Sequence, residues 1–190
     1  FDPHEPFFVH RKYKDIYPEH FRKYRGPEFD WPGYRKIERE TPEQIEHLRY
    51  NYAALVSQCD ALLGNVLDAM DELDLWKDTL LIVWTDHGHM LGEKDHFAKN
   101  YQPWWEELSH IPLFIWDPRA GKAGEKRRSF VQTIDLAPTL LDFFGLPTTK
   151  DMLGVPLRRV VAEDAGGREA GLFGVFGGHV NVTDGRYVYM

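Results

Sequence analysis

At 190 residues the chain is long enough for one domain with a sizeable core, and a composition of 43% hydrophobic and 14% aromatic residues is that of a globular rather than a disordered protein. Acidic residues outnumber basic ones, 30 to 23, for a net charge of −7, and the cations are scattered. Nucleic-acid and membrane-surface partners both need clustered Lys and Arg, so neither is expected. No run approaches the ~18 apolar residues that span a bilayer, and the single cysteine, Cys59, excludes an internal disulfide framework. Periplasmic, extracellular and cytoplasmic locations all stay open. The chain opens at Phe1-Asp2-Pro3 without an initiator Met, so its natural N-terminus is expected upstream.

Residues 1–40 carry Pro3, Pro6, Pro18, Pro27 and Pro32, which interrupt any long helix or central strand. They read as irregular, with short helical turns around residues 17–25. Thr41-Pro42-Glu43-Gln44 is a capping box with proline at the first helical position. From there apolar residues recur every three or four positions, at Ile45, Leu48, Tyr52, Leu55, Cys59, Leu62, Val66, Met70 and Leu73, and predict a long amphipathic helix. Leu80–Trp84 is a continuous apolar run, the pattern of a strand buried on both faces, and Ile111–Trp116 is a second one. Thr133–Phe144 reads as a helix, closed by Gly145 and Pro147. Residues 146–169 read as a connection with a short helix near 157–163. The last twenty residues read as a hairpin turning at Asp184-Gly185. Alternating strands and helices favour an α/β sheet with helices on both faces, followed by a small C-terminal antiparallel sheet.

The most informative stretch follows the first buried strand: Thr85-Asp86-His87-Gly88-His89-Met90-Leu91-Gly92-Glu93, continuing to Lys99. In open α/β sheets ligands collect at the carboxyl ends of strands. Asp86 and His87 leaving such an edge offer a carboxylate and an imidazole to one cation, and Lys99 offers a point charge to an anion. Gly88 and Gly92 allow sharp turns and close approach to a ligand. An Asp-His pair in a loop also serves as ordinary solvated or capping side chains, and the spacing alone leaves both readings open.

The segment resembles the sulfatase pattern Ser/Thr-Asp-His/Asn-Gly, two residues, Leu-Gly-Glu and then a Lys, with TDHG, LGE and Lys99 as its pieces here and five residues between Glu93 and Lys99. NYAALVSQCDALLGNVLDAMDEL and DTLLIVWTDHG resemble the family's long helix and its strand feeding the metal site. SHIPLFIWDP and VQTIDLAPTLLDFFGLP resemble its later strand and helix, and FDPHEPF its Pro-His-x-Pro segment. The likeness covers residues 1–8 and 45–155. It implies an alkaline-phosphatase-like α/β fold, represented in part, with residues 1–150 in the catalytic domain and 151–190 forming a linker and the start of a small antiparallel subdomain. It implies that Asp86 and His87 ligate a divalent cation, most often Ca²⁺, with Mn²⁺ or Zn²⁺ as alternatives. Lys99 would contact the sulfate and its bridging oxygen, and His4 would face the leaving-group oxygen and help protonate it, because a departing alkoxide needs protonation or electrostatic stabilisation. His89, His96, Trp104 and His179 are candidates for lining the substrate pocket, and the aromatic stretch from Tyr101 to Trp105 could stack on sugar rings. The ligand implied is a carbohydrate or small-molecule sulfate ester.

The family's nucleophile is a formylglycine made within Cys/Ser-x-Pro/Ala-x-Arg. Cys59-Asp60-Ala61-Leu62-Leu63 does not match that pattern, and none of Ser57, Ser109 and Ser129 fits it. Nothing resembles the family's first pair of metal-binding aspartates either. The chain is therefore expected to be an incomplete part of an enzyme whose N-terminal portion supplies the nucleophile. Two other readings compete with a sulfatase: a phosphodiesterase or phosphonate monoester hydrolase of the same superfamily, using Mn²⁺, Zn²⁺ or Fe²⁺, and a non-catalytic homologue that binds sulfated glycans.

Overall fold

The computed structural model describes residues 3–99, 104–175 and 177–190. The helices in chain order are α1 (Arg11–Lys14), α2 (Pro18–Lys23), α3 (Pro42–Glu72), α4 (Glu106–Ser109), α5 (Leu136–Phe143) and α6 (Arg158–Glu163). The strands are β1 (Leu81–Trp84), β2 (Met90–Leu91), β3 (Phe97–Ala98), β4 (Leu113–Trp116), β5 (Gly171–Gly174), β6 (Val180–Thr183) and β7 (Val188–Tyr189). The chain forms two compact units, one of residues 1–74 and 89–103, the other of residues 75–88 and 104–190.

The first unit is organised by α3, 31 residues and so about 46 Å long. Its start follows the capping box: Thr41 accepts a hydrogen bond from the Gln44 backbone N–H, and the Gln44 side chain accepts one from the Thr41 N–H. The N-terminal half of the apolar stripe is buried. Leu48 and Leu55 pack with Phe7, Phe97 and Ala98, and Ile37, Ile45, Tyr52 and Leu91 close around them. Farther along, Leu62, Val66 and Leu73 are exposed and only Met70 is buried again. The stripe is continuous in sequence, but only its first four turns meet a core. Cys59, expected in the core, is half-buried.

The proline-rich entry segment is held to this core piecewise. The Phe7 N–H donates to the Asp30 carbonyl (2.8 Å) and the Ile37 N–H to the Asp95 carbonyl (2.8 Å). β2 and β3 form a two-stranded antiparallel hairpin, Met90 opposite Ala98 and Leu91 opposite Phe97.

The second unit is built on β1 and β4, which pair antiparallel from Leu81 opposite Trp116 to Trp84 opposite Leu113. Opposed residues share a face. Ile82, Leu113 and Ile115 lie against Leu136, Leu157 and Val160 from the region of α5 and α6. The other face is bare at Phe114, which is 66% exposed, and Trp84 at the strand end is 51% exposed. The continuous apolar runs had predicted burial on both faces. The physical reason for the difference is that the sheet has two strands among the described residues and only one of its faces is covered. Asp135 is fully buried and ties this unit together. It accepts hydrogen bonds from the Gln132 N–H (2.8 Å), the Val155 N–H (2.8 Å) and Arg168.

The C-terminal sheet, ordered β5-β6-β7, is antiparallel throughout, as the Asp184-Gly185 signal predicts. Gly185 takes the left-handed conformation (φ +84°), and Asp184 Oδ1 accepts from the backbone N–H groups of Arg186 (2.9 Å) and Tyr187 (2.7 Å). No helix among the described residues is long and apolar enough to cross a membrane.

Candidate functional site

The expected site residues fall in both units, Asp86 and His87 in the second and His4, His89, His96 and Lys99 in the first. In the second unit, β1 ends at Trp84 and the chain emerges as Thr85-Asp86-His87. The backbone here lies tightly against its neighbour. The Gly88 N–H donates to the Leu108 carbonyl (2.9 Å), and a Cβ on Gly88 would lie 2.8 Å from the Glu107 carbonyl carbon. The close approach that calls for glycine at this position is to the protein's own backbone.

Asp86 is 80% exposed at its side chain, and its Oδ1 accepts the His87 backbone N–H (2.9 Å). His87 Nδ1 lies 2.9 Å from the Gly88 carbonyl oxygen. A carbonyl can only accept, so Nδ1 carries the proton and Nε2 presents its lone pair. That Nε2 is 3.5 Å from Asp86 Oδ2. Two donors 2.0–2.5 Å from one ion and at right angles to each other are about 2.8–3.5 Å apart, so the pair fits adjacent positions on one cation. Outward-facing donors with the second imidazole nitrogen fixed by a carbonyl suit a metal site. The pair supplies two donors, and no group of three or more His, Cys, Asp and Glu arranged for a metal occurs among the described residues.

In the first unit, the β2–β3 hairpin delivers Lys99. Gly92 (φ +102°) starts the turn, where a Cβ would also press on Ile45 at 2.8 Å. Lys94, Asp95 and Ala98 also have positive φ, at 49°, 59° and 62°. Non-glycine residues held there are strained by about 1–3 kcal/mol each and persist only where packing fixes them. Ala98 is fully buried and immediately precedes Lys99.

Lys99 is itself buried, and its Nζ lies 3.2 Å from His4 Nε2. His4 Nδ1 meets the Glu5 carbonyl at 2.6 Å, which orients the ring so that Nε2 can accept from the ammonium. These two residues, 95 apart in sequence and both expected to act at the leaving group, therefore meet directly. Beside them lies a buried carboxylate that the sequence did not flag, Glu5. Its Oε1 accepts a hydrogen bond from the Tyr34 hydroxyl. Burial would raise its pKa, but the Tyr34 bond, its own backbone N–H and the charges of Lys99 and His89 together hold it below the usual carboxylate value. The same hydrogen bond, with burial and the Glu5 charge behind it, pushes the Tyr34 phenol up to about 12.

The four residues expected to line a substrate pocket are placed differently. His89 is buried at its side chain, edge-on to Phe7 with ring centroids 5.5 Å apart, with Nε2 3.6 Å from Glu5 Oε2. His96 is buried and its Nδ1 meets the Lys94 carbonyl at 2.7 Å. Trp104 is half-buried ahead of α4, and His179 is exposed in the β5–β6 connection. Tyr101 lies outside the described residues.

A family model described as Sulfatase matches residues 2–146, most of the chain. The chain belongs to the sulfatase family. It is 33% identical over 125 residues to human arylsulfatase K, covering 66% of this chain and 23% of that protein. It is 30% identical over 206 residues to a sulfatase of Formosa agariphila, covering 98% and 40%. An N-acetylglucosamine-6-O-sulfatase of Bacteroides thetaiotaomicron is 28% identical over 159 residues, covering 84% and 27%. This sulfatase chain thus spans from under a quarter to two fifths of the length of these curated relatives.

Among solved structures it resembles a protein in complex with its substrate D-glucosamine-2-N,6-O-disulfate, with a TM-score of 0.64 and 26% identity over 74% of this chain and 30% of that one. It also resembles the phosphonate monoester hydrolase of Silicibacter pomeroyi, with a TM-score of 0.65 and 31% identity over 70% and 26%. The α/β, alkaline-phosphatase-like fold expected from sequence is therefore present, in part, in this sulfatase chain.

Proposed function

We propose that the parent protein is a metal-dependent sulfuric ester hydrolase acting on sulfated carbohydrates or related alkyl and aryl sulfates, and that this chain carries the leaving-group side of its active site and two of its metal donors. The observation that carries the reading is the direct meeting of Lys99 and His4 at 3.2 Å. A buried ammonium and a solvent-facing imidazole held together suit an oxygen that becomes anionic as a sulfate ester breaks. Lys99 binds an oxygen of the sulfate and the bridging oxygen. His4, oriented by the Glu5 carbonyl, faces the leaving oxygen and helps protonate it, its Nε2 relaying the proton that it accepts from the Lys99 ammonium.

Asp86 Oδ2 and His87 Nε2 would hold a divalent cation, Ca²⁺ in first place, which when bound supplies positive charge against the anionic substrate. Two donors are fewer than the six to eight that Ca²⁺ takes. In this reading the remaining ligands and a formylglycine nucleophile come from a part of the parent protein that precedes residue 1. Residues 1–150 then form part of the catalytic α/β domain, and residues 151–190 lead into a small antiparallel subdomain. The complex of a structural neighbour with a sulfated glucosamine supports a sulfated sugar as the substrate class.

The test is turnover of 4-nitrophenyl sulfate and glucosamine 6-sulfate by the purified parent. Activity should disappear on chelation and return with Ca²⁺, and Lys99→Ala should lower kcat/KM by about 10²–10³. The 190-residue chain by itself should show no turnover. A near-normal rate in Lys99→Ala would remove Lys99 from the mechanism.

A second reading, a phosphonate monoester hydrolase, is favoured by the 31% identity to that enzyme from Silicibacter pomeroyi. It is also favoured by His87, since imidazole suits Zn²⁺ and Fe²⁺ better than Ca²⁺. A higher kcat/KM on phenyl phosphonate esters than on sulfates, with Mn²⁺ restoring activity better than Ca²⁺, would decide for it.

A further inference from the structure

We propose that Glu5 is a positioning residue of this site, its buried carboxylate fixing the His4–Lys99 pair and the His89 ring from one side while Tyr34 fixes the carboxylate. The proposal rests on the reading of His4 and Lys99 given above.

Four observations carry it. The Glu5 side chain is only 2% exposed, and Oε2 has no hydrogen-bond partner among the described residues. That oxygen is nonetheless aimed between two imidazoles, 3.5 Å from His4 Nδ1 and 3.6 Å from His89 Nε2. The other oxygen is taken by Tyr34, so the carboxylate cannot rotate away. The backbone beneath it is pinned, because the next residue but one, Phe7, is fully buried in the core and donates its N–H to Asp30.

Burying a carboxylate costs several kcal/mol unless charge and hydrogen bonds offset it. A residue serving only to fill space would be apolar or an amide. Here the offset comes first from the Tyr34 hydroxyl and the Glu5 backbone N–H, and then from the charges of Lys99, which the proposed chemistry uses, and His89. The Lys99 and His89 charges help to keep Glu5 ionised, and by reciprocity the Glu5 charge holds both of them near it. Without that negative charge, Lys99 loses an attraction that holds its ammonium beside His4 and moves off toward other acceptors. The effect is on geometry at the leaving oxygen, where a displacement of about 1 Å costs about 10²-fold in rate.

The experiment uses the parent protein with Glu5→Gln, which preserves shape and the Tyr34 hydrogen bond but removes the charge, and Tyr34→Phe, which preserves the charge but frees the carboxylate. For Glu5→Gln the expected result is a fall in kcat of about 10–100-fold with KM changed less than about threefold. For Tyr34→Phe a smaller fall of the same kind is expected. A lower melting temperature with unchanged kcat per folded molecule in both variants is the signature of a merely structural role and overturns the proposal.

A crystal structure of the Glu5→Gln parent gives a readout independent of turnover. Lys99 Nζ should leave hydrogen-bonding distance of His4 Nε2, and a retained contact overturns the proposal. If the unmutated parent hydrolyses neither sulfate nor phosphonate esters yet the contact opens in Glu5→Gln, the functional reading falls and the positioning of the pair by Glu5 stands. Should Glu5→Gln fail to fold, Tyr34→Phe carries the kinetic test, and an unchanged kcat in it overturns the proposal.

Discussion

Gly88→Ala tests whether the loop bearing Asp86 and His87 is locked by close backbone contact. The added Cβ would stand 2.8 Å from the Glu107 carbonyl carbon and 3.1 Å from the Leu108 Cα, where ordinary contacts begin at about 3.4 Å. Both neighbours are backbone and cannot swing aside as a flexible side chain would. The strands of chain must separate, which breaks the Gly88 N–H bond to the Leu108 carbonyl. A lost bond that leaves buried partners unsatisfied costs about 1–3 kcal/mol, and forced overpacking a further ~1–3 kcal/mol. The sum, about 2–6 kcal/mol, is a large part of the 5–15 kcal/mol of a typical domain. It corresponds to a fall in Tm of about 4–24 °C at this size. Circular-dichroism melts of the chain, with urea titration for the free energy, measure it. Gly64→Ala is the control: Gly64 lies within α3 and nothing stands within 4 Å of its Cβ position. It should gain up to about 1 kcal/mol from helix propensity. If Gly88→Ala lies within 0.5 kcal/mol of the parent chain, the steric argument is wrong.

Two further outcomes are expected. Glu40 accepts from Arg35 at 2.5 Å, and that bond, against burial and aided by the backbone N–H groups of Glu38 and Arg39, lowers its pKa from 4.5 to about 2. A depressed carboxylate stabilises the fold above its ordinary pKa, and the contribution is lost as pH falls from about 4.5 to about 2. Some 2.5 pH units convert to about 3.4 kcal/mol, which water around the Arg35 guanidinium reduces to about 1–2 kcal/mol. Urea midpoints at pH 7 and pH 3 should therefore converge in Glu40→Gln relative to the unmutated chain, and identical pH slopes would refute the assignment. Asp135→Ala should cost about 3–5 kcal/mol, because it strands Arg168 and two backbone N–H groups. A loss under 1 kcal/mol in urea unfolding would show that these bonds are not formed in solution.

The elements set by local chemistry were legible in the sequence. The capping box places the start of α3 at Pro42, Gly145 (φ +67°) closes the region of α5, and the Asp184-Gly185 turn is where β6 gives way to β7. The placing of Asp86 and His87 side by side was legible because they are adjacent and leave β1 together. What stayed hidden depends on contacts distant in sequence. The β2–β3 hairpin has two residues per strand, too few to show an alternating pattern, and its turn uses Lys94 and Asp95 at positive φ instead of glycine. Glu5 and Tyr34 are 29 residues apart and carry no motif, so a buried acid among prolines and aromatics gave no local signal. The exposure of Trp84 and Phe114 was hidden for another reason: an apolar run records an affinity for cover, and the number of strands beside it is settled by pairing at a distance.

The β1–β4 pair has a practical consequence. Each of its strands leaves one row of backbone N–H and C=O groups unpaired within the described residues, next to bare indole and phenyl rings. Open edges of this kind recruit further strands, from whatever polypeptide is at hand. A preparation of these 190 residues by themselves would be expected to clump as its concentration rises. Under the proposed reading, co-expression with the rest of the parent protein, so that matching strands add in register, is the route to soluble material.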